Sequence, residues 1–437
     1  MAQFRKDTHN YLGDGKTIFE VVMLADQYGN LVGPANPSGV SVDAFGRARM
    51  STPFTMFDSS HRFADNGEWV TSNTASTTYT HNANNATISL TVDTANNSEI
   101  IRETKKVFSY QPGKSLFNIN TFVFNPAKTN LRQRVGYFGA QNGIYLELAN
   151  TTLSFVERSF VTDQISETRV AQADWNIDKL DGTGPSLLTL DITKAQIFWM
   201  DIEWLGLGTV RCGFVINGQL IHCHSFHHAN ILEGTYITTA SLPLRYEIKN
   251  TGVTASSSTL KQVCSSVISE GGYELRGSQQ SVASDIVAGK TLTTKGTFYP
   301  VIALRLKSSP DRLDAIAVLT ALSLLGTGNG INYMWRVVQN CTVSGGTWTS
   351  AGTNSSIEYS LNSTAVDQTN ARTLASGFLN SSNQGSPTLN ILKEALFAFQ
   401  LERNGLTSTP YTIALVVTSD TDNQKVYGSL DWEEISR

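Results

Sequence analysis

Residues 208–227 read GTVRCGFVINGQLIHCHSFH, and the Asn217-Gly218 pair at their middle decides the fold class. Both central residues of a type I′ turn need positive φ, and Asn-Gly is the pair that accepts it most readily. A two-residue turn then sets Ile216 opposite Gln219, Phe214 opposite Ile221, Gly213 opposite His222, Cys212 opposite Cys223 and Arg211 opposite His224. One face of this hairpin carries Val210, Cys212, Phe214, Ile216, Ile221 and Cys223 and should look into a core. The other carries Arg211, Val215, Leu220, His222, His224 and Phe226 and is mixed. Directly opposed cysteines lie about 5.5 Å apart at Cα, within disulfide reach. A chain made in a reducing cytoplasm should nevertheless keep them as thiols.

Working outward, period-2 alternation dominates. Strand-like runs cover 115–124, 143–147, 153–158, 195–204, 209–216, 220–226, 242–248, 297–306 and 411–418, punctuated by Asp181-Gly182, Asn217-Gly218, Gly271-Gly272 and Asn404-Gly405. Short strands with polar turns predict an all-β protein of antiparallel sandwich or jelly-roll domains. Residues 388–403 are the clearest helical candidate, with Leu389, Leu392, Leu396 and Phe399 at three- and four-residue steps, and equally a strand pair misread as a helix. A Pro/Gly-rich stretch at 33–39 closes an irregular N-terminal arm, 1–40. The polar run near 276–290 separates a large lectin-like β-sandwich domain, 41–277, from a C-terminal β domain, 278–437.

Composition narrows the function. The chain has 437 residues, 33 Lys+Arg against 37 Asp+Glu, and only 16% charged residues. A formal net charge of −4 excludes a binder that grips nucleic acid by counterion release. Four cysteines in 437 residues are too few for a disulfide scaffold. The opening MAQFRKDTHNYLGDG has no apolar signal core, so synthesis in a cytoplasm is expected. The longest apolar run, 315–325, falls short of the ~18 residues that span a bilayer.

Two constellations could carry chemistry. In 197–204, IFWMDIEW, the even positions form a core face and Asp201 and Glu203 share the other with Trp199. Retaining glycosidases use two carboxyl groups about 5–5.5 Å apart. The strand resembles in part the Glu-x-Asp-x-Glu strand of lectin-like β-sandwich glucanases, but Trp199 and Leu205 stand at its outer acidic positions. The alternative is a sheet face salted by Arg211. His222 and His224, with His227 and His228 close by, form a His-x-His pair that could hold a metal if symmetry completed it. The alternative is a polar sheet or interface face, since a cation such as Arg211 beside the pair opposes metal binding. Asp201 and Glu203 are thus the catalytic candidates and His222 and His224 the metal candidates, and neither pair is assigned a role. No cofactor motif is present, and the glycines of LGTGNGIN (325–332) read as a turn.

Seven phrases together resemble a family of virion structural proteins of tailed bacteriophages, of the marine and cyanophage type. They are DAFGRARMSTPFTMFDS (43–59), RETKKVFSYQPGKSL (102–116), RQRVGYFGAQNGI (132–144), ADWNIDKLDGTGPS (173–186), IEWLGL (202–207), RYEIKNTGV (245–253) and VISEGGYELRGS (267–278). The resemblance spans roughly 40–278. It implies a non-enzymatic particle component made in the host cytoplasm and built into a virion as capsid decoration, tail fibre or baseplate. The residues themselves suggest a symmetric assembly, a homotrimer: the polar Pro/Gly-rich arm needs a surface to lie on, two β domains make an elongated subunit, and the mixed hairpin face with His222, His224 and Phe226 would be better covered than exposed. The other expected partners are the major capsid or tail proteins and a host-surface glycan, with no nucleic acid and no membrane. The rival reading is a receptor-binding or glycan-degrading lectin-like module using Asp201 and Glu203.

Overall fold

The computed structural model describes residues 9–11, 18–20, 24–25, 31–32, 52–74, 76–382 and 398–436. The backbone divides into two compact units, Met1–Thr52 and Pro53–Arg437. In the first, His9–Tyr11 pairs antiparallel with Ile18–Glu20, and Leu24–Ala25 with Leu31–Val32. The stretch expected to be irregular therefore contains short hairpins.

The second unit is all-β, and every ladder among its described residues is antiparallel. Each of the nine runs read as strands overlaps a strand, although 195–204 overruns its strand, which ends at Ile202. One sheet runs Gln219–Phe226, Val210–Ile216, Gln196–Ile202, Leu116–Val123, Ser258–Ser269, Thr87–Val92, Thr78–Asn82, with Phe54–Ser59 also pairing Ser258–Ser269. The second runs Ser166–Ala171, Thr152–Ser159, Gly143–Ala149, Leu131–Phe138, Leu244–Asn250, Glu99–Thr104, Trp69–Asn73. Their facing residues share one core, in which Phe155 stacks on Trp175 at 4.3 Å and on Phe198 at 5.7 Å.

Further along the chain, Gln424–Ser436 pairs with Ser278–Ala283, Lys290–Leu292 and Ile316–Gly326. It packs through a second core against a sheet centred on Tyr299–Leu306, Thr412–Ser419 and Asn332–Ser344. Of the glycines of 325–332, Gly326 ends the Ile316–Gly326 strand, and Gly328 and Gly330 lie in the turn before Asn332–Ser344. Most of the helical candidate falls outside the described residues. Its described end keeps one helical turn at 398–399 and then runs extended, with Gln400 bridging Val318 and Arg403–Asn404 pairing Thr409–Pro410.

That extended segment ties the two cores together. Gln400 Nε2 donates to Val107 O at 2.8 Å, Arg403 N donates to Lys105 O at 2.9 Å, and Arg403 Nη1 meets Glu103 Oε1 at 2.9 Å. Arg372 bridges Glu402 at 2.9 Å and also Glu68. Val107, between first-core strands, is itself buried in the second core.

The hairpin follows its expected register only in part. Asn217 and Gly218 have φ of 54° and 75°, and pairing runs as read from Ile216↔Gln219 to Gly213↔His222. Then a β-bulge leaves Cys223 unopposed, so Cys212 faces His224, Arg211 faces Ser225 and Val210 faces Phe226. The cause is the 174–178 loop, which docks on the outer edge of the strand. Ile177 N and Asp178 N each donate to Cys223 O at 3.1 Å, while Asn176 exchanges two 2.9 Å hydrogen bonds with the Ser225 backbone. The bulge turns His224 and Phe226 inward, which the uniform register could not anticipate.

All four cysteines are free thiols, three buried and Cys264 exposed. Burial pushes the Cys212 and Cys341 thiols up, Cys341 to about 12, and so suppresses their thiolates. Iodoacetamide should label Cys264 alone in the native protein and all four after denaturation, as read by intact mass. Native labelling of Cys212, or a 212–223 crosslink in a non-reducing peptide map, would contradict the buried-thiol arrangement.

Candidate functional site

Asp201 sits at the inner end of its strand, opposite Phe117 on one side and Arg211 on the other. Its carboxylate is 5% exposed and accepts from Arg211 Nη2 and from Ser115 Oγ. Glu203 lies beyond the end of the Gln196–Ile202 strand, is exposed, and accepts from Thr209 N at 3.3 Å. The two carboxylates are therefore not an equivalent pair on one face. Asp201 is the salt-bridged residue of the second reading, with Arg211 as its partner.

The histidine pair is also separated. His222 Nε2 lies 2.9 Å from Ser225 Oγ, and burial and Arg211 lower its pKa. His224 lies on the core face, stacked 6.3 Å from Phe155 and edge-on to Phe226 at 4.6 Å, with its Nδ1 accepting from Asn176 N at 3.3 Å. Burial lowers its pKa to about 4, so it is a neutral core residue. No group of three His, Cys, Asp or Glu residues among the described residues is placed to hold a metal. His228, by contrast, joins Glu157 at 2.7 Å and stacks on Tyr236 at 3.9 Å. Its pKa is raised because Glu157 outweighs the cost of burial.

Sequence reading missed the densest polar constellation. On the sheet through Leu131–Phe138, the face away from the large core carries charges at alternate positions: Arg132, Arg134, Glu147, Arg158, Glu167, Arg169, Arg245 and Glu247. Arg134 is flanked by Glu147 in one neighbouring strand and by Glu247 in the other. Its Nε lies 2.6 Å from Glu147 and its Nη1 3.4 Å from Glu247. Arg132 reaches Glu247 at 2.8 Å, Arg245 reaches Glu247 and Glu103, and Arg158 reaches Glu167 at 2.7 Å. The Tyr145 ring lies between the guanidinium groups of Arg134 and Arg158, 5.1 and 5.2 Å from its centroid. Opposite it stands Gly136, where a Cβ would come within 2.7 Å of the Tyr145 Cβ. The available signal was charge at i and i+2 within strand-like runs, as in RQR (132–134), ETR (167–169) and RYE (245–247).

Burial opposes ionisation of Glu247, but Arg245, Arg134 and Arg132 outweigh it and hold the carboxyl at about 2. Glu167 is likewise held at about 2 by Tyr145 and Arg158 against its burial. Such a lattice holds together only while every charge has its partner.

No family model and no curated protein matches the chain. Several solved structures are similar at low identity. A Bacillus licheniformis β-glucanase is 10% identical, with a TM-score of 0.34 over 49% of this chain and 97% of its own. The Emp47p carbohydrate recognition domain gives 10% and 0.32 over 52% of this chain and 99% of its own. A carbohydrate esterase of Shiga toxin-encoding bacteriophage phi24B gives 10% and 0.31 over 50% and 99%.

Two outcomes follow from the electrostatics. Glu247→Gln should destabilise the protein by about 3–5 kcal/mol in urea titrations, because it strands buried guanidinium groups; a loss under 1 kcal/mol would show that the lattice contributes little. Acid should act in two stages. His61 and His224 are both lowered from 6.5 to about 4, chiefly by burial, so the unfolded chain binds their protons first. Stability should therefore fall as pH drops from about 6.5 towards 4. Glu167 and Glu247, ordinarily near 4.5 and held at about 2, add a further loss below about 4.5. His228 works in the opposite sense, its contribution fading as pH rises through its raised pKa. Urea midpoints that stay flat between pH 7 and 4 would contradict the neutral core histidines.

Proposed function

We propose that this chain is a non-enzymatic structural component of a tailed-phage virion, assembling as a homotrimer against capsid or tail proteins. The observation that carries this reading is the ionic lattice with its clamp to the second core. Three of the phrases that resemble the phage family, 102–116, 132–144 and 245–253, contribute Glu103, Arg132, Arg134, Arg245 and Glu247. These residues hold a stiff body together, which suits a load-bearing particle component. Capsid decoration, tail fibre and baseplate all fit that role. The hairpin no longer contributes to the trimer argument, because His224 and Phe226 are in the core rather than on a face awaiting a neighbour.

The rival, a glycan-degrading module using Asp201 and Glu203, needs two cooperating carboxyl groups. Asp201 is engaged by Arg211 and Ser115, which speaks against it as a free nucleophile. The chain is expected among the proteins of purified virions, at a copy number set by a symmetry axis, and as a trimer by light scattering. Its absence from purified particles by mass spectrometry would overturn the structural reading. Release of reducing sugar from a bacterial surface polysaccharide, abolished in Asp201→Asn, would favour the rival.

A further inference from the structure

We propose that residues 60–67 form an acid-released latch on the side of the first sandwich, with the buried His61 imidazole as its bolt. This goes beyond the structural role proposed above and does not depend on it.

The segment links Phe54–Ser59 of one sheet to Trp69–Asn73 of the other. His61, 0% exposed, is its one fully buried side chain; Arg62, Phe63, Ala64 and Gly67 are exposed, and Asp65 and Asn66 half-buried. Polar ties hold the rest. Asp65 joins Arg102 at 2.6 Å, and Asn66 Nδ2 donates to Ser59 Oγ at 2.7 Å. Arg62 Nη1 donates to Ala83 O at 3.2 Å, and His81 Nε2 donates to His61 O at 2.7 Å. Past Gly67 the chain is anchored, since Lys105 N donates to Glu68 O at 2.9 Å and Glu68 pairs with Arg372. Trp69 lies beneath the far end of the segment: its Nε1 donates at 2.9 Å to the same Ser59 Oγ that holds Asn66.

Neither ring nitrogen of His61 has a hydrogen-bond partner among the described residues. The ionisable groups that act on it are Arg102 of Glu99–Thr104, His81 of Thr78–Asn82 and Asp65 of the segment itself. Asp65 is already committed to Arg102, whose other donors reach Gln262 Oε1 at 2.7 Å and Thr71 Oγ1 at 2.8 Å. A proton on His61 therefore meets a fixed cation and a second histidine in a site closed to water. Burial, then Arg102, lower its pKa from 6.5 to about 4. In the released segment the imidazole is solvated and regains its ordinary value. The released form thus binds the proton more tightly than the closed form, and opening is favoured as pH falls below about 6.5. Opening also meets little resistance from below. Gln262 Nε2 is buried with no partner among the described residues, and entering water would satisfy it. The segment gives up little apolar burial, Phe63 being already 88% exposed.

Hydroxyl-radical footprinting of the full chain, read by peptide mass spectrometry and normalised to the exposed Phe63, tests the latch. From pH 7.5 to pH 5 the open population, and with it Trp69 oxidation, should rise by up to about 30-fold, the ratio that pKa values of 6.5 and 4 dictate. Trp175, buried in the same sandwich, should stay protected. In His61→Leu, which cannot take up the proton, Trp69 oxidation should differ less than twofold between the two pH values. His61→Gln serves the same purpose if the leucine variant fails to fold. A flat Trp69 response in the parent would overturn the proposal. So would Trp175 oxidised in step with Trp69, which is global unfolding, or a full pH response surviving in the His61 variants, which would place the sensor elsewhere.

Discussion

Arg134 lies between Glu147 in one flanking strand and Glu247 in the other, and all three side chains are buried. In such a setting a charge without its partner costs far more than the pair contributes. The register of four adjacent strands is therefore fixed twice over. Their inward residues must meet the aromatic core, and their outward residues must place each guanidinium beside a carboxylate. A one-residue slip would break both conditions at once.

The same logic extends to the second core. Glu103 is shared between Arg245 of its own sheet and Arg403 of the 398–404 segment. Arg403 is thereby drawn into the lattice, and Gln400 and Val107 close around it. Two hydrophobic cores that could have been joined by a linker are instead coupled through buried charge.

Strand positions were legible because alternation is a local property: Val210, Cys212 and Phe214 face inward whatever lies elsewhere. The Asn217-Gly218 turn was legible for the same reason. The bulge at Cys223 was not, since it is imposed by Asn176, Ile177 and Asp178, more than forty residues away. It moved His224 from a candidate ligand to a stacked core ring. The Asp201–Arg211 contact could be foreseen as one of two alternatives, because the strands are neighbours in sequence. The lattice could not, because pairing Arg134 with Glu247 requires knowing that strands more than a hundred residues apart are adjacent. Residues 388–397 of the helical candidate lie outside the described residues.

The central claim is that buried ion pairs make the two cores one cooperative body. Scanning calorimetry of the parent and of Arg403→Met tests it most directly. The account predicts a single transition for the parent, splitting into two in the variant once Glu103 loses its bridge to the second core. Two transitions in the parent, unchanged in Arg403→Met, would show that the cores unfold independently and that the clamp does not couple them.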